Sequence, residues 1–88
     1  MVSRRYHVEF SAPAAKQFRK LPGAIQQRLA PRINELAVDP RPHGSKKLSG
    51  EEGIFRIRVG DHRVVYSIED DALVVLVVKI GDRRDVYR

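Results

Sequence analysis

Three arginines, Arg56, Arg58 and Arg63, stand in the alternating segment Phe55-Arg56-Ile57-Arg58-Val59-Gly60-Asp61-His62-Arg63-Val64-Val65-Tyr66. A guanidinium is a planar fork of N–H donors that matches the oxygens of a phosphate or carboxylate, so three of them brought together make an anion site. Convergence depends on Gly60-Asp61. If that dipeptide is the two-residue turn of a hairpin, Val59 faces His62, Arg58 faces Arg63, Ile57 faces Val64 and Phe55 faces Tyr66. One face then carries Phe55, Ile57, Val59, Val64 and Tyr66, an apolar set for a core. The other carries Arg56, Arg58 and Arg63. Like charges directly opposite on a sheet cost roughly a few tenths of a kcal/mol. A visiting anion relieves that repulsion, as does pairing with Glu51, Glu52, Glu69 or Asp61, or plain solvation.

More cations lie nearby in the chain. Lys46 and Lys47 precede the arginine strand, and the last residues, Gly81-Asp82-Arg83-Arg84-Asp85-Val86-Tyr87-Arg88, add three arginines and a tyrosine. Lys46, Lys47, Arg84 and Arg88 are candidate nucleic-acid contacts. Tyr87 could stack on a base or hydrogen-bond a phosphate or ribose hydroxyl; it could also pack its ring on the sheet, and the two roles are compatible. Val65, Val74, Leu76 and Val78 are expected on the arginine face, a mixed basic and apolar surface that suits a protein partner or a covering tail.

Other chemistries lack their residues. His7, His43 and His62 are scattered at no zinc spacing, and no metal site is expected. There is no Gly-rich phosphate loop, no GxSxG elbow and no cysteine nucleophile. Were the bound phosphate that of RNA, the ribose 2′-hydroxyl could attack it while guanidiniums stabilise the charge developing on the phosphoryl oxygens. Arginine is a poor general base, which leaves Tyr87 as the proton partner among these residues.

Secondary elements must position these groups. Tyr6 to Phe10 reads as a first strand. Ser11 is a good helix N-cap and Pro13 fits the first turn. Ala14, Phe18 and Leu21 recur at helical spacing until Pro22-Gly23. Ile25, Leu29, Ile33 and Leu36 form the stripe of a second helix, which Pro31 should kink or divide and Asp39-Pro40-Arg41-Pro42 should end. Residues 40–53 read as a loop. Three strands follow, over Ile54–Val59, Arg63–Glu69 and Leu73–Ile80, the last apolar enough to be central and buried on both faces. Asp70-Asp71 turns the second hairpin.

The chain has 88 residues, with 17 Lys and Arg against 11 Asp and Glu, for a net charge of +6. That length predicts a single domain over residues 1–88, with little core to spare. The charge favours polyanions: nucleic acid, anionic lipid or an acidic protein. No cysteine is present, which suits a reducing cytoplasm. The first ten residues do not read as a secretory signal. The longest apolar run, Ala72 to Val78, is far short of the roughly 20 residues that span a bilayer, so no membrane is expected.

The Phe55–Tyr66 segment, the Val/Leu-rich strand after it and the Arg83-Arg84-Asp85-Val86-Tyr87 ending resemble the RelE/ParE toxin superfamily. So do the Leu21-Pro22 helix break and the Lys47-Leu48-Ser49-Gly50 approach. The resemblance implies an α+β fold: an N-terminal strand, an antiparallel helical hairpin, then a three-stranded antiparallel meander. Together these give a four-stranded sheet with helices on one face. It implies a toxin of a type II toxin–antitoxin system, neutralised by a cognate acidic antitoxin. RelE-like members cut mRNA on the ribosome without metal or cofactor. Carried over, Arg56, Arg58, Arg63, Arg83 and Tyr87 fall on the family's active-site positions, with Arg84 an alternative to Arg83. Arginines 56 and 58 stand where the family can have lysine, one of which is a proposed base, and His62 stands where tyrosine is usual. The alternatives within the resemblance are a ParE-like inhibitor of DNA gyrase and a non-catalytic member acting through its antitoxin complex.

Overall fold

A computed structural model describes residues 5–48 and 53–82. In chain order these form β1 (His7–Phe10), α1 (Ala12–Arg19), α2 (Gly23–Glu35), β2 (Lys46–Lys47), β3 (Ile54–Val59), β4 (His62–Glu69) and β5 (Val74–Asp82). The described strands make one five-stranded sheet in the order β1-β5-β4-β3-β2. All neighbours are antiparallel except β1 and β5, which run parallel from His7 beside Val74 to Phe10 beside Val77. The α+β order expected from the sequence is present, with one strand more than the four predicted. Within the expected loop over 40–53, Lys46 and Lys47 pair with Arg56 and Phe55. Two residues are too short to show a period, so this strand leaves no pattern to read.

The helices start and stop for local reasons. Ser11 takes an extended backbone, and its hydroxyl accepts from the Ala14 N–H at 3.2 Å, capping α1. At the other end, the Gln26 side-chain amide of α2 donates to the carbonyls of Phe18 and Leu21, at 3.0 and 3.1 Å. These bonds tie the end of α1 and the residues just beyond it to α2. Pro31 was expected to kink or divide α2; the helix is not divided and runs from Gly23 to Glu35. Proline removes the bond to the carbonyl four residues earlier, that of Gln27. Both Pro31 and Gln27 are exposed, so water can take that carbonyl.

The helices cover one face of the sheet. Ala14, Leu29, Ile33 and Leu36 pack with Ile57, Val59, Val64, Tyr66, Ile68, Val75, Val77 and Ile80 in a single cluster. Phe10 and Phe18 meet edge to face at 5.7 Å between ring centres, locking α1 to β1. The β3–β4 turn is the expected two-residue one: Gly60 has φ +63° and Asp61 does not have a positive φ. That is the type II′ pattern, which places glycine first. The second hairpin turn takes four residues rather than two, with Leu73 at φ +55° and its N–H bonded to the Asp70 carbonyl.

One expectation for β5 is corrected. The strand is internal, but its burial alternates, with Val75, Val77 and Ile80 buried and Val74 and Leu76 only half-buried. One face packs on helices and the other does not. The strand also carries an irregularity at Val78 that the sequence did not indicate. The register runs Val65 to Lys79 and Tyr66 to Val77, so Val78 is a bulged residue with no opposite number. The bulge shifts the parity beyond it and brings Lys79 opposite Val65.

Candidate functional site

The face away from the helices is organised in rows across the strands. Arg58 of β3 stands opposite Arg63 of β4, and Arg63 stands opposite Gly81 of β5. One row on, Lys46, Arg56, Val65 and Lys79 follow one another across β2, β3, β4 and β5. Residues two apart on a strand point the same way, so these rows share one face. The register therefore gathers Arg56, Arg58 and Arg63 on one side and sets Ile57, Val59, Val64 and Tyr66, all buried, with half-buried Phe55 on the other. In a two-residue hairpin the pair flanking the turn exchanges both hydrogen bonds. Arg58 and Arg63 are the next pair, the close kind, with Cα atoms about 4.5 Å apart.

Depth differs among the three. Arg58 is exposed, whereas Arg56 and Arg63 retain only 7% and 3% of their surface. Such burial is uncommon for arginine, because removing a charge from water costs several kcal/mol unless something replaces the water. The Nε of Arg56 is buried with no hydrogen-bond partner. Among the described residues no carboxylate forms an ion pair with Arg56 or Arg58; the pairs there are His7–Glu9, Arg32–Glu35 and Arg41–Asp70. An anion arriving at this face meets guanidiniums already stripped of much of their water, where a charge-assisted hydrogen bond is strong.

The remaining candidates fall as follows. Lys46 is on the arginine face beside Arg56, whereas Lys47 shares the parity of Phe55 and lies toward the helix side; both are exposed. Arg83, Arg84, Tyr87 and Arg88 lie outside the described residues, as do Glu51 and Glu52. His62 pairs with Val59 and so is off the arginine face, as the parity predicts. His7 is 3.3 Å from Glu9 and exposed, and His43 is exposed on the loop.

The structure adds a clasp that no sequence pattern indicated. The Tyr66 hydroxyl, buried, donates to the Pro40 carbonyl at 2.8 Å. Burial pushes this phenol up to about 12. The neighbouring Arg41 guanidinium donates to both carboxylate oxygens of Asp70, at 3.2 and 2.9 Å, and lies 5.3 Å from the centre of the Phe55 ring. Tyr6 donates to the same carboxylate at 2.6 Å. Arg41 first, then Tyr6, holds the Asp70 carboxyl below the usual range, and Asp70 in turn raises Tyr6 and Arg41. The clasp pins the chain just before β2, which carries Lys46 to the arginine rows. Its members lie at residues 6, 40–41, 66 and 70, too far apart in sequence to form a motif. Lys79 was missed for a different reason: a bulge changed its face. A separate concavity of about 400 Å³ at the end of α2 is lined by Glu35, Val38, Asp39 and Pro42, and includes none of these cations.

Comparison with known proteins bears on what such a face is for. The profile of the ParE toxin of the type II toxin–antitoxin system parDE matches residues 8–87. A RelE-like toxin protein of Escherichia coli is 37% identical over 87 residues, covering 94% of this chain and 90% of that protein. The mRNA interferase toxin RelE of E. coli K12 is 30% identical over 86 residues, covering 93% and 90%. The toxin in the crystal structure of the intact E. coli RelBE toxin–antitoxin complex superposes with a TM-score of 0.79 at 29% identity, over 88% of this chain and 95% of that one. A profile match over most of the length, a relative above 30% identity and the shared sheet and helices agree: the chain belongs to the RelE/ParE superfamily of toxins of type II toxin–antitoxin systems.

Proposed function

We propose that this toxin is a ribosome-dependent endoribonuclease that cleaves mRNA without a metal ion. The observation that carries the reading is the gathering of Arg56, Arg58 and Arg63 on the helix-free face, two of them deeply buried. The relative named an mRNA interferase gives the same direction. The 2′-hydroxyl of the bound nucleotide attacks the adjacent phosphate. The new P–O bond forms as the bond to the 5′-oxygen of the next nucleotide breaks. The guanidiniums stabilise the negative charge that grows on the non-bridging oxygens. Arg83 and Tyr87 complete the proposed catalytic set with these three, Arg84 being the alternative to Arg83. Tyr87 is the proton partner, and Lys46, Arg84 and Arg88 hold flanking RNA, Lys47 lying toward the other side of the sheet. The ribosome supplies the positioning of the message.

The protein acts as one domain over residues 1–88 in the cytoplasm. Its partner is a cognate acidic antitoxin, partly disordered until it folds on this surface. The solved RelBE complex of a relative supports a protein partner of this kind. The decisive experiment incubates the protein with programmed ribosomes and maps mRNA 5′ ends. Cleavage that requires the ribosome and is lost in Arg63→Ala or Tyr87→Phe is the expected result. The match to the ParE profile favours one competing reading, inhibition of DNA gyrase. Gyrase-dependent DNA breaks with intact mRNA would establish that reading instead.

A further inference from the structure

We propose that Lys79 is an additional phosphate-binding residue of this site, turned onto the arginine face by the bulge in β5. The proposal rests on the reading of that face as an RNA site. Up to Val77, the β4–β5 register places alternate residues as expected, with Val75 and Val77 toward the helices. Continued unbroken, it would set Lys79 opposite Val64, in the core. The extra residue Val78 prevents this. It brings Lys79 opposite Val65, in the row that already holds Lys46 and Arg56. Lys79 is also the diagonal neighbour of Arg63, whose direct opposite is Gly81, at a separation of about 7–8 Å.

The bulge is built rather than incidental. The Val78 carbonyl accepts from the Ser11 hydroxyl at 3.3 Å, and just beyond it the Ile80 N–H donates to the Gln17 side-chain oxygen at 2.8 Å. Both partners come from the N-cap and body of α1, so the helix on one side of the sheet holds a distortion that redirects a side chain on the other. Bulges serve this re-aiming role beside functional sites. Lys79 is half-buried, and among the described residues no carboxylate pairs with it. Among the described residues, the acidic side chains on this face, Glu9 opposite Leu76 and Glu69 opposite Val74, lie toward its other end. The rows Lys46–Arg56–Val65–Lys79 and Arg58–Arg63–Gly81 thus form a cationic band running across the strands. Its width from β2 to β5 is about 14 Å at the usual strand spacing, enough for consecutive phosphates of one RNA strand.

The test is the salt dependence of binding of the full chain to a fluorescent, 2′-O-methylated single-stranded RNA that cannot be cleaved. Each phosphate contact on a single strand contributes about 0.7 to the slope of log K against log salt. Lys79→Gln should lower the slope by about 0.7 and weaken binding several-fold at low salt, and Lys79→Arg should restore both. Lys16→Gln, on α1, should leave both unchanged. Thermal midpoints within the wild-type range confirm that folding is intact, and where Lys79→Gln lowers them Lys79→Met, which keeps the apolar stem and removes the charge, is read for the same change in slope. If Arg58→Gln lowers the slope and Lys79→Gln does not, or if Lys79→Arg fails to restore it, the assignment of Lys79 is wrong while the arginine site stands. If neither Arg58→Gln nor Lys79→Gln changes the slope, or wild type does not bind the RNA, the RNA face itself is wrong and Lys79 falls with it.

Discussion

Replacing Tyr66 by phenylalanine removes one hydroxyl from a fully buried side chain and leaves its ring in place. That ring stacks on Phe55, with centres 6.1 Å apart, so packing survives the change. What is lost is the 2.8 Å bond to the Pro40 carbonyl, on a residue that is itself buried. A neutral hydrogen bond is worth about 1 kcal/mol net, and leaving a buried acceptor unmet costs about 1–3 kcal/mol. The expected loss at pH 7 is therefore about 1–2 kcal/mol, read as a lower urea midpoint at unchanged m-value. The same geometry fixes a pH dependence. The folded phenol is raised to about 12, above an unfolded value of about 10. Its contribution is thus complete below about pH 10 and is lost as pH rises through about 12. Linkage gives a wild-type loss of about 1.4 kcal/mol by about pH 11. The Tyr66→Phe variant does not share that loss, so the two stability curves should meet near pH 11. A difference below about 0.5 kcal/mol at pH 7, or parallel curves from pH 8 to 11, would refute the buried-donor account. Because Pro40 anchors the segment leading to Lys46, RNA affinity at pH 7 should fall as well.

Other expectations follow from single contacts. Gly60→Ala places a side chain at φ +63°, with the new Cβ 2.9 Å from the Arg28 guanidinium. Arg28 can move but the backbone cannot, so the urea midpoint should drop by the equivalent of about 1–2 kcal/mol. Asp70 is held low by Arg41 and Tyr6, so its contribution is present above an unfolded value of about 3.9 and lost as pH falls below it. Arg41→Ala should accordingly lose stability less steeply than wild type below about pH 4 in acid titrations followed by circular dichroism. Leu29 is completely buried, and Leu29→Ala should cost about 2–5 kcal/mol, a large part of the stability of so small a protein, read as a lower urea midpoint.

The hairpin that gathers the arginines was legible in the amino-acid order because its signals are local. Alternation has a period of two, Gly60-Asp61 fixes the turn, and only one register turns Phe55, Ile57, Val59, Val64 and Tyr66 together toward the core. The cap at Ser11 and the stripe of Ile25, Leu29, Ile33 and Leu36 were legible for the same reason. The continuity of α2 through Pro31 was not, because it depends on which way the proline faces. The rest needed parts distant in the chain. Lys79 changes face because Ser11 and Gln17, more than sixty residues earlier, hold a bulge open. Arg41 finds Asp70 and Phe55, and Lys46 finds Arg56, only after the sheet exists. Sequence determines which faces must be apolar, since burial drives folding and its period is written along each segment. The tertiary structure decides which cations share the opposite face, because that face is set by register between strands rather than by any one strand.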